Sequence, residues 1–255
     1  MTEIEPTDFW ADLRLSTQAR IGLGRTGDSL PTRRVLELRS AHAAARDAVH
    51  TPLEVDSFTV AVERVGIGAP AVVTSKATSR AEYLRRPDLG RQPQDLSSIT
   101  PGEFDIGFVL SDGLSPRALT DHGTSMLEAL VEELADLYTM APPVIATEAR
   151  VALGDHIAEA MGVRTVVVLI GERPGLSVAD SLGIYLTHLP APGRSDADRN
   201  CISNIHPPEG LGYRQSAKIV AGLVRGARSL GRSGVALKDT SRADVLESSE
   251  TMTLD

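Results

Sequence analysis

The chain has 255 residues, of which 42% are hydrophobic and 24% charged, and a net charge of −8. These values describe an ordinary globular protein, and the acidic balance disfavours nucleic-acid phosphates as partners. No run of ~18 apolar residues occurs, so a membrane span is not expected.

Residues 1–10 carry Glu3, Glu5 and Asp8 and no apolar stretch, so a secretory signal is not expected. The single cysteine, Cys201, has no internal disulfide partner, suits a reducing cytoplasm and rules out a multi-cysteine zinc site. Aromatic residues make up only 4%, so Val, Leu, Ile and Ala must build the core.

Residues 1–30 read as a mixed lead-in. Gly22, Gly24 and Gly27 match the G-x-G-x-x-G dinucleotide fingerprint, but the polar stretch 16–20 before them is not strand-like and Pro31 intervenes before any helix. A glycine-rich turn supplying positive-φ positions is the better reading. A helix is expected over 31–50, where Val35, Leu38, His42, Ala45 and Val49 form one stripe. That stripe packs either on its own domain or on a partner; periodicity does not distinguish the two. Short strands are expected around Val60, Val62 and Val65 and over 72–74. A helical turn follows at 80–86, and 85–101 reads as a loop or domain boundary.

From residue 104 strands and helices alternate. Strands are expected at 104–110, 144–147, 164–170 and 183–189, with a last one at 235–237. Helices are expected at 122–139, around 156–161 and at 213–230. The run at 164–170, RTVVVLI, is nearly all apolar, as in a central parallel strand covered on both faces. The alternation predicts an α/β fold: a Rossmann-like, doubly wound, mostly parallel sheet over 102–240, preceded by a helical or mixed region at 1–101. The acidic, Ser-rich stretch 241–255 reads as a frayed tail.

Ligands of such sheets bind outside the carboxyl ends of the strands. Three segments are expected there: 111–113, 171–176 and the stretch after 189. In GERPGL (171–176) the glycines permit close backbone approach, and Glu172 offers a carboxylate to ligand amides or hydroxyls. The stretch 198–207 packs many hydrogen-bonding side chains into what reads as a loop. Cys201 beside Arg199 suggests a nucleophile, but no positioned base is evident and a lone cysteine is more often plain packing.

GERPGL, SLGIY (181–185), RNCISNIHP (199–207), AHAAARDAVH (41–50) and YLRRPDLGR (83–91) together resemble the ethanolamine ammonia-lyase small-subunit family over about 20–238. That resemblance implies a chain that works only with a larger subunit, in a hetero-oligomer that binds adenosylcobalamin between the two. The pair would convert ethanolamine to acetaldehyde and ammonia by a radical mechanism. It further implies cobalamin contacts at Val151, Glu172 and Cys201, with the catalytic groups on the partner. None of the six histidines has an Asp two positions before it. The Asp-x-His-x-x-Gly cobalt-ligand motif of cobalamin mutases is therefore missing, as the resemblance implies. Residues 1–16 show no amphipathic stripe, which points to the cytoplasm and offers no support for a bacterial microcompartment. Two rival readings are a stand-alone nicotinamide-dependent oxidoreductase built on Gly22 to Gly27, and a structural scaffold that binds a partner but no cofactor.

Overall fold

The computed structural model describes residues 9–239; the expected tail at 241–255 and residues 1–8 lie outside that range. The lead-in holds α1 (Ala11–Leu15) and the glycine turn, where Gly22, Gly24 and Gly27 all take positive φ. Next come α2 (Thr32–His50), α3 (Val55–Glu63), β1 (Ala71–Thr74), α4 (Arg80–Arg85), β2 (Phe104–Ser111), α5 (Pro116–Leu134), β3 (Val144–Thr147), α6 (Leu153–Met161), β4 (Val163–Gly171), β5 (Leu182–His188), β6 (Asn200–Ile205) and α7 (Tyr213–Leu230).

The six strands form one sheet in the order β1-β3-β2-β4-β5-β6. β1, β3, β2 and β4 are parallel neighbours, whereas β5 is antiparallel to β4 and β6 antiparallel to β5. The class is α/β as expected and most strands run the same way, but β5 is reversed, so the sheet is mixed and the doubly wound, Rossmann-like expectation is not met in full. The reason is the connection: a parallel return needs a crossover of about a dozen residues or more, usually helical. Between Gly171 and Leu182 there is no helix, and the chain simply turns back.

Alternating side chains of the central strands supply two cores. From β4, Val167 and Leu169 join Ile106, Phe108 and Leu110 of β2 under α5 and α7. Val166, Val168 and Ile170 point the other way, onto Leu153, Ile157 and Met161 of α6. Thus β4 is buried on both faces, as its apolar run predicts.

α5 starts earlier than expected, because Ser115 caps it by accepting the Ala118 N–H and Pro116 fills the first turn. Leu137, placed on that helix from sequence, lies past its end and is 64% exposed. The segment around Val60 and Val62 is helical, not extended: Phe58 and Val62, four apart, are buried together. No strand forms at 235–237. There the Asn200 side chain donates to the carbonyls of Gly234 and Leu237 and accepts the Gly234 N–H, in place of ladder pairing. The stretch 200–205, read as a loop, is the edge strand β6.

Candidate functional site

The carboxyl ends of β2, β3 and β4 meet at one edge of the sheet, where the chain leaves each strand in a tight turn. Leu114 N–H donates to the Gly171 carbonyl at 2.9 Å, tying the turn after β2 to the end of β4. A Cβ on Gly171 would run into the Ser115 carbonyl oxygen, so only glycine permits this approach. Asp112, in the same turn, is buried and accepts the N–H groups of Glu148 (2.8 Å) and Ala149 (3.0 Å). These bonds hold Glu148 at φ 50, a strained value for a residue other than glycine. Burial lifts the Asp112 pKa from 3.8 to about 6, against the opposing pull of Arg80 and the two N–H donors. Arg80 Nη1 lies 3.3 Å from Glu148 and 3.6 Å from Asp112.

Tyr83 of α4 is fully buried and donates its hydroxyl to the Ala149 carbonyl at 3.0 Å. Arg80 and Arg150 lie over its ring, 4.8 and 4.4 Å from the centroid. Desolvation pushes the Tyr83 pKa well above its ordinary value, so this phenol stays protonated. The Arg150 N–H donates to the Gly90 carbonyl, so the YLRRPDLGR segment is fastened to the end of β3. Arg150 Nε is buried without a hydrogen-bond partner.

Beside this cluster lies a cleft of about 250 Å³ whose walls include Tyr83, Arg150, Val151, Gly171, Glu172 and Tyr185. Val151 and Glu172 are therefore brought together, 21 positions apart in sequence, from the carboxyl ends of β3 and β4, the parallel strands on either side of β2. The Glu172 carboxylate is held through Oε2, which accepts from the Ser181 hydroxyl (2.6 Å) and the Asn204 N–H (3.2 Å). Among the described residues none donates to Oε1, which is left as an acceptor. Asn204 makes its bond from φ 65.

Cys201 does not line this cleft. It sits exposed on β6, paired in register with Tyr185, which does line it. Partial desolvation raises the Cys201 thiol pKa, with the Tyr185 hydroxyl acting in the opposite sense, and the Tyr185 phenol is itself pushed up to about 12. A thiol in that setting is a contact group rather than a ready nucleophile.

Of the three segments expected at the strands' carboxyl ends, 111–113 and 171–176 are there. The stretch after 189 is at the opposite end of the sheet, because β5 runs antiparallel: His188 pairs with Thr165, near the start of β4. Sequence reasoning gave no role to Tyr83, Arg150, Ser181 or Tyr185. Tyr83, Ser181 and Tyr185 lie in quoted motifs and Arg150 precedes Val151, but only the fold juxtaposes them. No helix among the described residues is long and apolar enough to cross a membrane.

Such a site defines a class: an α/β chain with a ligand cleft at the carboxyl ends of its parallel strands, open on one side. The family model for the ethanolamine ammonia-lyase light chain (EutC) matches residues 7–238. The ethanolamine ammonia-lyase small subunit of Rhodococcus erythropolis is 70% identical over 248 residues, covering 97% of this chain and 96% of that protein. The small subunit of Pseudomonas fluorescens (strain Pf0-1) is 44% identical over 96% of this chain and 92% of its own length. That of Bradyrhizobium diazoefficiens is 46% identical over 90% of each chain. The chain belongs to the ethanolamine ammonia-lyase small-subunit family.

Proposed function

We propose that this chain is the small subunit of an ethanolamine ammonia-lyase, a carbon–nitrogen lyase that works with a large subunit to convert ethanolamine to acetaldehyde and ammonia. The match to that family over nearly the whole chain carries the reading. The cofactor is adenosylcobalamin, which when bound supplies the radical chemistry that removes hydrogen from the substrate.

The residues present suit such a group. A corrin is fringed with amide side chains, and Glu172 Oε1 is a charged acceptor that the described residues leave without a donor. Arg150 Nε is a buried donor without an acceptor. The cleft of about 250 Å³ is far too small for a whole corrin with its nucleotide tail, so it grips one edge and a second wall must come from elsewhere. In this reading Glu172 accepts from a corrin amide, Val151 is an apolar wall, and Cys201 is a small contact near Tyr185. The catalytic groups stay on the large subunit, and this chain orients the cofactor and keeps water from it.

Residues 102–240 form the cobalamin-binding, Rossmann-like part, with α5 and α7 on one face of the sheet and α6 on the other, and residues 1–101 make much of the contact with the large subunit. Support for the latter comes from α2: this 19-residue helix buries only Ala45 and Ala48, and leaves Leu36 and Leu38 exposed. A helix with so little of its own core needs a neighbour to be stable. Higher hetero-oligomer assembly and a cytoplasmic location belong to the same reading. The test is difference spectroscopy of cyanocobalamin with the co-expressed pair and with each chain alone. Corrinoid retention by the pair only is expected; equal retention without this chain would remove it from the site.

A further inference from the structure

Asp112 does not line the cleft that holds Val151 and Glu172, yet its turn touches the ends of both β3 and β4, which do. Its own N–H donates to the Ala146 carbonyl of β3 at 3.1 Å. Its two carboxylate oxygens take one N–H each, Oδ2 from Glu148 and Oδ1 from Ala149. The next residue, Gly113, takes φ 58 so close to β4 that a Cβ there would run into the Gly171 carbonyl oxygen. One buried side chain at the end of β2 therefore sets where the chain turns after β3.

That turn leads from Glu148 directly into Arg150 and Val151, which line the cleft. Glu148 takes φ 50, a left-handed value that a residue other than glycine keeps only when its surroundings hold it there. Beyond Glu148 the turn is fixed by Tyr83, through the Ala149 carbonyl, and by Gly90, through the Arg150 N–H. At Glu148 itself the backbone N–H is held by Asp112. Two N–H groups need an acceptor on each oxygen. An ionised carboxylate supplies both, whereas a protonated one turns an oxygen into a donor.

Arg80 and Tyr83 face Asp112 from α4, Glu148 faces it from the turn after β3, and Arg150 lies over the Tyr83 ring. The end of β4 and the start of α5 bring Gly171 and Ser115 to the same place, neither of them charged. Burial outweighs the Arg80 guanidinium and lifts the Asp112 pKa to about 6.

We infer that Asp112 is a positioning residue: as a carboxylate it fixes the Glu148–Val151 turn in the form that receives the cofactor, and a proton on it frees that turn. The inference rests on the cofactor reading above. Only the fraction of the protein with Asp112 ionised then binds corrinoid tightly. Affinity is full above the midpoint and falls about tenfold between about pH 7.5 and about pH 5. By reciprocity, bound corrinoid makes Asp112 hold its proton less tightly.

The test uses the complex of the full chain with its large subunit, as wild type, Asp112→Asn and Glu148→Gly. Cyanocobalamin is titrated at both pH values, and hydrogen exchange of the 148–151 amides, corrected for intrinsic pH dependence, is read without corrinoid. In the wild type a tenfold loss of affinity at the lower pH, with faster exchange of the turn, is expected. Asp112→Asn points an NH₂ at one of the two N–H groups, so it should bind weakly at both pH values. Glu148→Gly takes a left-handed φ without strain and removes a like charge beside Asp112, so it should keep tight binding at the lower pH. Equal wild-type affinity at the two pH values overturns the proposal, as does a pH step that persists in Asp112→Asn. Exchange that steps with pH while corrinoid affinity stays flat overturns it too, because the turn is then no part of the binding wall. If Asp112→Asn does not assemble, Glu148→Gly decides: an unchanged step overturns the proposal, and a lost step supports it. If the wild-type complex binds no corrinoid at either pH, the cofactor reading fails, while the exchange data still decide whether Asp112 holds the turn.

Discussion

Replacing Glu172 by Gln probes the cleft with little disturbance of the fold. Two donors, the Ser181 hydroxyl at 2.6 Å and the Asn204 N–H at 3.2 Å, converge on Oε2. A glutamine satisfies both by turning its amide oxygen toward them. Its NH₂ then occupies the place of Oε1, so a donor faces the ligand where a charged acceptor stood. A hydrogen bond to a charged group contributes about 1.5–3 kcal/mol, so cobalamin binding should weaken roughly ten- to a hundred-fold. Cyanocobalamin titration of the assembled pair reads this directly, and urea unfolding checks that the small subunit remains folded. Unchanged corrinoid affinity in a well-assembled Glu172→Gln complex would refute the role given to this carboxylate.

Asp155→Ala strands the Arg199 charge, only 6% exposed, and should cost about 3–5 kcal/mol in urea unfolding, whereas Asp155→Leu/Arg199→Met should recover much of that loss. An unchanged unfolding midpoint for Asp155→Ala would contradict the buried pair. For Asp112 the folded pKa, about 6, lies above the ordinary 3.8, so the folded state holds its proton more tightly. Its contribution to stability is full below pH 3.8 and is lost as pH rises through about 6. Carboxyl ¹³C NMR should show its midpoint near 6, and a midpoint at or below 3.8 would show that Arg80 and the N–H donors dominate instead. Cys201→Ser should leave substantial turnover in the assembled enzyme, since its thiol pKa is raised and it lies on β6 outside the lining of the Glu172 cleft. Abolished turnover with normal assembly and corrinoid binding would give the sulfur a chemical role.

The central strand was the most legible part of the fold, because RTVVVLI can be buried on both faces only inside a covered sheet. The edge was not. In β6 the buried residues Ile202 and Ile205 are three apart, not two, because a register shift between Leu182 and Ile184 breaks the alternation. The polar residues between them then read as a loop. α3 was hidden by composition: Val55, Thr59, Val60 and Val62 favour strands locally, and packing of Phe58 and Val62 beside α5 outweighs that preference. The reversal at β5 had a signal, the helix-free stretch between Gly171 and Leu182. For the site, Glu172 was legible as a carboxylate at a strand end. Tyr83 and Arg150 were not: their stacking depends on α4 crossing to the end of β3, which no local pattern encodes.

The account rests on this chain completing a lyase that it does not form by itself. Cobalamin-dependent release of acetaldehyde from ethanolamine tests that most directly, measured with this chain and its large subunit co-expressed and with each alone. Activity confined to the pair, and dependent on added adenosylcobalamin, is the predicted result. A well-assembled, corrinoid-loaded pair that releases no acetaldehyde would contradict it.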